Sequence, residues 1–340
     1  MKEPSFSDAF QVLVLQAADD GREKTLFGES AQRARNVVPP FLVGEKFPST
    51  YLEFPLIGSP FMDVTLLYDS IAPGTRINSD AAAGTEAMLD WYASVEGADD
   101  NICCGFELDT KEERLPQAAV HFQPRKRKDL VEPFCAAVGE PAYADLYLNQ
   151  DERMPQGWPL SFFGMFRGRP GTPLRVCGYL DSPEQGECAA DTAHLAAAFD
   201  QMGFRAYDDA MLAQVSQAMG LAPDTVDFQL DVFPDGHLGD TFAIDVQFAI
   251  EQPHLVRENF QDGPVARVMQ WAESLGAADE RWKLAADIAF ARAIPIETDD
   301  GAVARYSFTI MPQWMKLRWR AGALQPSKLY LMGKAGVIDE

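Results

Sequence analysis

Asp227-Phe228-Gln229-Leu230-Asp231-Val232, and beyond the turn Pro234-Asp235-Gly236-His237 the run Ile244-Asp245-Val246-Gln247-Phe248, alternate polar and apolar residues. A period of two marks β-strands whose side chains point to opposite faces. One face here is apolar; the other carries carboxylates and amides. Met62-Asp63-Val64-Thr65-Leu66 repeats the pattern. Helices must cover the apolar face of such a sheet. If its edges close, the polar face lines a lumen.

Working outward, strand pairs alternate with helical stretches along the whole chain. Hairpins are expected at Tyr51–Ile57 with Phe61–Asp69, Ile102–Asp109 with Gln117–Gln123, and Leu160–Phe166 with Leu174–Leu180. The fourth is Val226–Phe233 with Thr241–Ile250, and the fifth Trp282–Ala291 with Ala304–Ile310, while Lys328–Met332 would help close the ring. Their turns are rich in Gly, Pro and Asp, as at Gly58-Ser59-Pro60, Lys111-Glu112-Glu113-Arg114, Arg167-Gly168-Arg169-Pro170-Gly171 and Thr298-Asp299-Asp300-Gly301. Apolar residues at helical spacing predict helices near 80–95, 128–138, 190–202, 208–219 and 263–275. No low-complexity linker interrupts the series, so residues 1–340 are read as one domain. An open sheet of ten strands would expose long edges or curl. The expected class is therefore α+β: a closed, antiparallel, ten-stranded β-barrel of five helix–hairpin repeats, with helices outside and a polar lumen.

The bulk numbers narrow the function. With 47% hydrophobic and 24% charged residues, the chain of 340 residues has an ordinary globular composition. No apolar run approaches a bilayer span, and Met1 to Asp20 lacks the order of a signal peptide. A cytoplasmic location with no membrane partner is expected. A net charge of −22 opposes nucleic acid. The five cysteines, Cys103, Cys104, Cys135, Cys177 and Cys188, include no CxxC and read as buried thiols. None of His121, His194, His237 and His254 stands at a familiar ligand spacing from a cysteine, so no zinc site is expected.

Several segments resemble the ABBA-type (αββα) aromatic prenyltransferases: Ser59-Pro60-Phe61-Met62-Asp63-Val64-Thr65, Cys104-Gly105-Phe106-Glu107-Leu108-Asp109, Ala119-Val120-His121-Phe122-Gln123-Pro124, Val176-Cys177-Gly178-Tyr179-Leu180 and Ala243-Ile244-Asp245-Val246-Gln247-Phe248-Ala249. The resemblance spans roughly residues 30–335. It implies a barrel that binds an isoprenoid diphosphate beside an aromatic acceptor, with or without magnesium. Asp63 would take the place of a magnesium-holding carboxylate, Thr65 of a neighbouring hydroxyl, Tyr179 of a diphosphate-binding tyrosine, Phe233 of a lumen aromatic and Lys328 of a late basic residue. The chain departs from the pattern where cations are expected: Ala118 or Ala119 stands on the second hairpin, Cys177 replaces an asparagine, and Val246 follows Asp245.

Pleat parity counted from Asp63 places Asp63, Thr65, Glu107, His121, Gln123, Arg175, Cys177, Tyr179, Asp227, Gln229, Asp231, Phe233, Asp245 and Gln247 inside. Acids outnumber bases in that set. Like charges 4 Å apart cost about 4 kcal/mol at an effective dielectric of 20, so a diphosphate needs further cations. Arg167, Arg169 and Arg175 flank the third hairpin. Lys316, Arg318 and Arg320 alternate in Met315-Lys316-Leu317-Arg318-Trp319-Arg320, as a phosphate clamp at the mouth or a guarded edge strand would. Arg125-Lys126-Arg127-Lys128 reads as a surface turn. Phe162, Phe163, Phe166, Trp282, Trp314 and Trp319 are candidates to shield a carbocation.

Three readings of function follow. In the first, the chain transfers a prenyl group from an isoprenoid diphosphate to an aromatic or peptide-borne acceptor, with Arg175, Tyr179, Cys177, Phe233, Gln247, Thr65, Glu107 and Lys328 binding substrate and magnesium at Asp63. In the second, crowded carboxylates Asp227, Asp231 and Asp245, with His121 as a base, perform cyclisation, isomerisation or hydrolysis on a substrate without a diphosphate. In the third, the barrel only carries a hydrophobic small molecule. All three expect a small-molecule partner.

Overall fold

The computed structural model describes residues 9–11, 22–44, 46–95, 102–111, 115–124, 127–167, 171–297 and 303–337. Most of Met1 to Asp20, the middle of the turn after Asp109, Arg125 and Lys126, the tip with Arg169, and the turn Thr298-Asp299-Asp300-Gly301 lie outside them.

Ten strands close a ring, every neighbour antiparallel. In sequence they are β1 (Ser49–Pro55), β2 (Asp63–Tyr68), β3 (Cys103–Leu108), β4 (Ala119–Gln123), β5 (Leu160–Met165), β6 (Leu174–Tyr179), β7 (Val226–Val232) and β8 (Leu238–Gln247). Then follow the outer strand β9 (Phe290–Glu297), the long β10 (Val303–Arg320), the two-residue β11 (Ala323–Leu324) and β12 (Lys328–Val337). β1 to β8 pair in chain order; β8 then pairs with β10, β10 with β12 and β12 with β1. The seam is in register: Lys316 stands opposite Asp245, Lys328 opposite Pro55. Closure leaves the ring no edge to aggregate through.

The pleat sorts the side chains as the alternation predicts. Leu52, Phe54, Val64, Leu66, Phe106, Val120, Phe122, Val176, Phe228, Ile244, Leu317 and Leu331 point outward and are almost wholly buried. Helices cover them. Phe134, from the helix Val131–Val138, stacks on Phe122 of β4 with centroids 4.1 Å apart. Phe199, from the helix Thr192–Met202, meets Phe242 of β8 at 4.7 Å. The core is thus a sleeve between sheet and helices, and the centre is left to polar groups.

The fifth hairpin differs from the expected one. Residues 281–285 form a short helix, Arg281–Ala285, that buries Trp282, so the apolar run from Trp282 is not a ring strand. The first half of β10 pairs with β9, outside the ring, and its second half supplies the ninth ring strand. A bulge between Pro312 and Trp314 separates the two halves. Met315–Arg320 is therefore neither an exposed edge nor a loop: it is barrel wall. Helices at Ala142–Arg153 and Ser182–Ala190 were not expected from the sequence.

Candidate active site

The inward face forms two joined chambers. The outer one, about 330 Å³, is lined by the acids Glu53, Asp63, Glu107, Asp109 and Asp231 and the cations Lys111, Arg175, Lys316, Arg318 and Lys328. The inner one, about 240 Å³, takes Tyr51, Phe162, Trp314 and Tyr330 together with Thr65, His121, Cys177, Asp227, Asp245 and Gln247. Glu53, Glu107, Arg175, Gln229 and Lys316 border both chambers, so one layer of side chains lies between them.

β10 and β12 deliver the cations missing from the first eight strands. Lys316 and Lys328 stand directly opposite each other across that ladder. Like charges facing each other on a sheet destabilise it, and each lysine is held by an oxygen. Lys316 Nζ donates to the Tyr330 hydroxyl at 2.7 Å and lies 3.8 Å from Asp245. Lys328 donates to Glu53 and lies 3.8 Å from Asp63. Burial alone would raise the Glu53 pKa, but Lys328 and Lys316 hold it below its ordinary value. The same pairing keeps Lys328 charged: burial pulls its pKa down, while Glu53 and Asp63 lift it higher still.

The remaining acids are held in unequal states. Arg175 grips Asp231 through two bonds, at 2.9 and 3.2 Å, and lies 4.6 Å over the Phe166 ring. Asp63 accepts a 3.3 Å bond from the Thr110 amide, and burial pushes its pKa up to about 8. It is therefore mostly protonated near neutrality and adds little repulsion. Asp227 and Asp245 face each other across β7 and β8. Gln247 donates to Asp227 at 2.9 Å and Gln229 to Asp245 at 2.6 Å. Burial, then Asp245, raises the Asp227 pKa to about 7. Asp245 is also raised by burial, though Lys316 opposes the shift, and its Oδ1 is buried without a hydrogen bond. His121 is buried with Nε2 3.3 Å from Glu107 Oε2. Its ring fits because Gly164 stands opposite on β5; a Cβ there would lie 2.7 Å from the imidazole.

Of the residues that parity placed inside, Tyr179 and Phe233 do not line either chamber. Tyr179 ends β6 and is 44% exposed. Phe233 lies past β7, where the ladder slips between Leu230 and Val232; its ring stacks on His237 at 4.7 Å, outside the barrel. A bulge resets the alternation, so counting in twos fails beyond it. Of the aromatic candidates, Phe162 and Trp314 line the inner chamber, Phe166 lies beneath Arg175, and Phe163, Trp282 and Trp319 belong to the outer core. Glu53 was missed, although Tyr51-Leu52-Glu53-Phe54 alternates and Glu53 pairs with Asp63.

Magnesium requires hard oxygen ligands without a competing cation. Lys328 stands beside Asp63, Arg175 occupies Asp231, and Gln229 with Lys316 flanks Asp245. Asp63, the carboxylate expected to hold magnesium, and the other lumen acids Asp231 and Asp245 each already face a nitrogen donor, so these residues do not fit the ion.

The comparison with solved structures is decided by this ring. The chain matches 5-dimethylallyltryptophan synthase from Streptomyces coelicolor with a TM-score of 0.55 at 13% identity, over 97% of both chains. The fold is the prenyltransferase barrel. NotF prenyltransferase matches with a TM-score of 0.54 at 10% identity, over 98% of this chain and 96% of that one. PriB, in a complex with L-tryptophan and dimethylallyl thiolodiphosphate, matches with a TM-score of 0.51 at 9% identity, over 97% of this chain and 96% of that one. Neither a family model nor a curated protein matches the sequence. At these identities the prenyltransferase barrel is shared as a fold. Among the described residues no helix is long and apolar enough to cross a membrane.

Proposed function

We propose that the chain is a prenyltransferase of natural-product biosynthesis, moving a prenyl group from an allylic diphosphate to an aromatic or peptide-borne acceptor. The observation that carries the reading is the facing pair Lys316 and Lys328, with Arg318, in the outer chamber. Two lysines held side by side stabilise an anion more than they stabilise the apo sheet. The structures of similar fold that hold dimethylallyl thiolodiphosphate and tryptophan support the same substrate classes.

The diphosphate would lie in the outer chamber, against Lys328, Lys316, Arg318 and Arg175. The prenyl chain would reach into the inner chamber. Breaking the allylic C–O bond sends its electron pair to the diphosphate, where the cations receive the charge. The allylic cation is left among the π-faces of Tyr330, Trp314 and Tyr51, worth about 0.5–2 kcal/mol per ring. Trp314 stacks on Tyr330 at 4.9 Å and packs against Tyr51 at the same distance, so the rings are fixed before substrate arrives. The acceptor carbon then forms the new bond and loses its proton to a base. Asp227 and His121 are the candidates, both in the inner chamber. The donors available in the chamber support metal-independent binding.

The test is calorimetric titration with dimethylallyl, geranyl and farnesyl thiolodiphosphates, with magnesium and with chelator, followed by product analysis with indole and phenol acceptors. Binding that survives chelation and prenylated product are expected. Absence of heat with every allylic diphosphate analogue overturns the reading. The raised pKa of Asp227, opposite Asp245, favours a second reading, acid–base chemistry on a substrate without a diphosphate. Turnover of such a substrate that Asp227→Asn abolishes and Lys328→Ala spares would select it.

A further inference from the structure

Outside the barrel, four side chains from two consecutive helices meet at a point that the lumen chemistry does not use. Glu184 and Cys188 are one helical turn apart on the helix Ser182–Ala190 and share a face. Asp191 links that helix to Thr192–Met202, whose first turn carries His194. The ligand atoms of Glu184, Cys188 and His194 all lie within 4.8 Å of one another. His194 Nε2 is 2.9 Å from Glu184 Oε1 and 3.5 Å from Glu187 Oε2, and Cys188 Sγ is 3.6 Å from Glu184 Oε1.

We propose that Glu184, Cys188 and His194, completed by Glu187, form a structural site for a borderline-soft divalent cation such as zinc. The spacing is the first reason. Zinc bonds of about 2.0 Å to nitrogen or oxygen and 2.3 Å to sulfur give tetrahedral edges of about 3.3–3.6 Å. The Cys188–Glu184 and His194–Glu187 separations match such edges, and the 2.9 Å contact between His194 and Glu184 opens to one with a side-chain shift of a few tenths of an ångström. The donor set is the second reason: one thiolate, one imidazole and carboxylate oxygens select zinc or cobalt over magnesium or calcium. The third is support from behind. Trp158 Nε1 donates to Glu184 Oε1 at 2.7 Å, and an indole donor of this kind orients a ligating carboxylate. Gly157 lets the backbone approach, since a Cβ there would lie 2.8 Å from the Glu184 Cβ.

The position gives the ion a task. Trp158 lies directly before β5 and meets Phe228 of β7 at 5.1 Å. A cation here would pin the two helices to the barrel wall beside β5 and β7. Cys188 is wholly buried, so its thiolate would be shielded from oxidants, while the His194 side chain is 37% exposed and leaves an entry path. The familiar zinc spacings do not include this arrangement, because the helical turn supplies one ligand pair and the short link supplies the third.

The experiment uses the full-length protein, stripped with chelator and titrated with cobalt chloride, then with zinc chloride. A thiolate-to-cobalt charge-transfer band in the near-ultraviolet saturating at one equivalent is expected, with bleaching by zinc. His194→Ala should weaken cobalt binding by roughly a hundredfold, and Cys188→Ser should abolish the band. Cys104→Ser, which removes an equally buried thiol elsewhere, should leave it intact. Zinc should raise the melting temperature of the parent protein by several degrees and not that of His194→Ala. No thiolate band, or one that persists in His194→Ala, overturns the proposal. His194→Ala alone decides if Cys188→Ser does not fold, because that imidazole is partly exposed.

Discussion

The outer and inner chambers are cut from the same strands by the same pleat, yet their chemistry is opposite. The outer chamber is ionic, with Lys111, Arg175, Lys316, Arg318 and Lys328 set against carboxylates. The inner chamber is richer in aromatic rings and amides, and its cations, Arg175 and Lys316, stand at the border with the outer one. Height along the barrel axis, rather than strand identity, separates them. A continuous sheet can therefore hold an anion at one end and disperse positive charge at the other, a few residues apart.

The sharpest way to break that comparison is Lys328→Ala. It removes a charge-assisted contact and leaves the ionised Glu53 without its lysine partner, so affinity for an allylic thiolodiphosphate should fall roughly a hundredfold by calorimetry. Trp314→Ala should act at the other end. Turnover is expected to drop about tenfold while diphosphate affinity stays within twofold, because the lost contact is with the cation and not with the leaving group. Equal losses in both quantities would mean that the chambers are not functionally distinct.

Acidity supplies a third, smaller test. Asp63 has its pKa raised to about 8 by burial, far above the value of about 3.9 in an unfolded chain. The folded protein therefore holds an extra proton between these limits. The stabilisation is complete below about pH 4 and is lost as pH rises through about 8. Diphosphate affinity should likewise fall, roughly fivefold between pH 7 and 9, as Asp63 ionises beside the ligand. Asp63→Asn should flatten both profiles; an unchanged affinity profile in that variant would assign the titration to another group. The smallest effect belongs to residues outside both chambers. Tyr179→Phe and Phe233→Leu are expected to leave turnover within about twofold, read by steady-state kinetics.

Much of this was legible in the alternation of residues, and the failures have physical causes. In β2, β3, β4 and β6, and in β8 from Phe242 onward, the pleat runs unbroken, and Asp63, Glu107, His121, Arg175 and Asp245 stand where a count of two puts them. Phe233 was lost to the slip after Leu230, and the alternating Lys316 and Arg318 were legible as a clamp or as a guarded edge, but the bulge at Pro312 hid that their strand belongs to the wall. That bulge lets one strand serve two partners: β9 beyond the ring, β8 within it. A linear sequence does not announce where such a strand changes partners. The run from Trp282 misled for the opposite reason, being apolar because a short helix buries it, not because it crosses the wall.

Closure through β8, β10 and β12 has a consequence for how the molecule is made. The residues that seal the ring and those that balance its interior are the same segment, 314–330, and both are synthesised after the first eight strands. A nascent chain ending before residue 312 would expose the flanks of β1 and β8 and would hold an acidic interior with Arg175 as its strand-borne cation. Sealing must also wait for pairings between residues nearly 280 positions apart, a non-local step that slows folding. The pairing of residues 314–330, rather than of any earlier strands, is the step at which this barrel acquires both its shape and its affinity for anions.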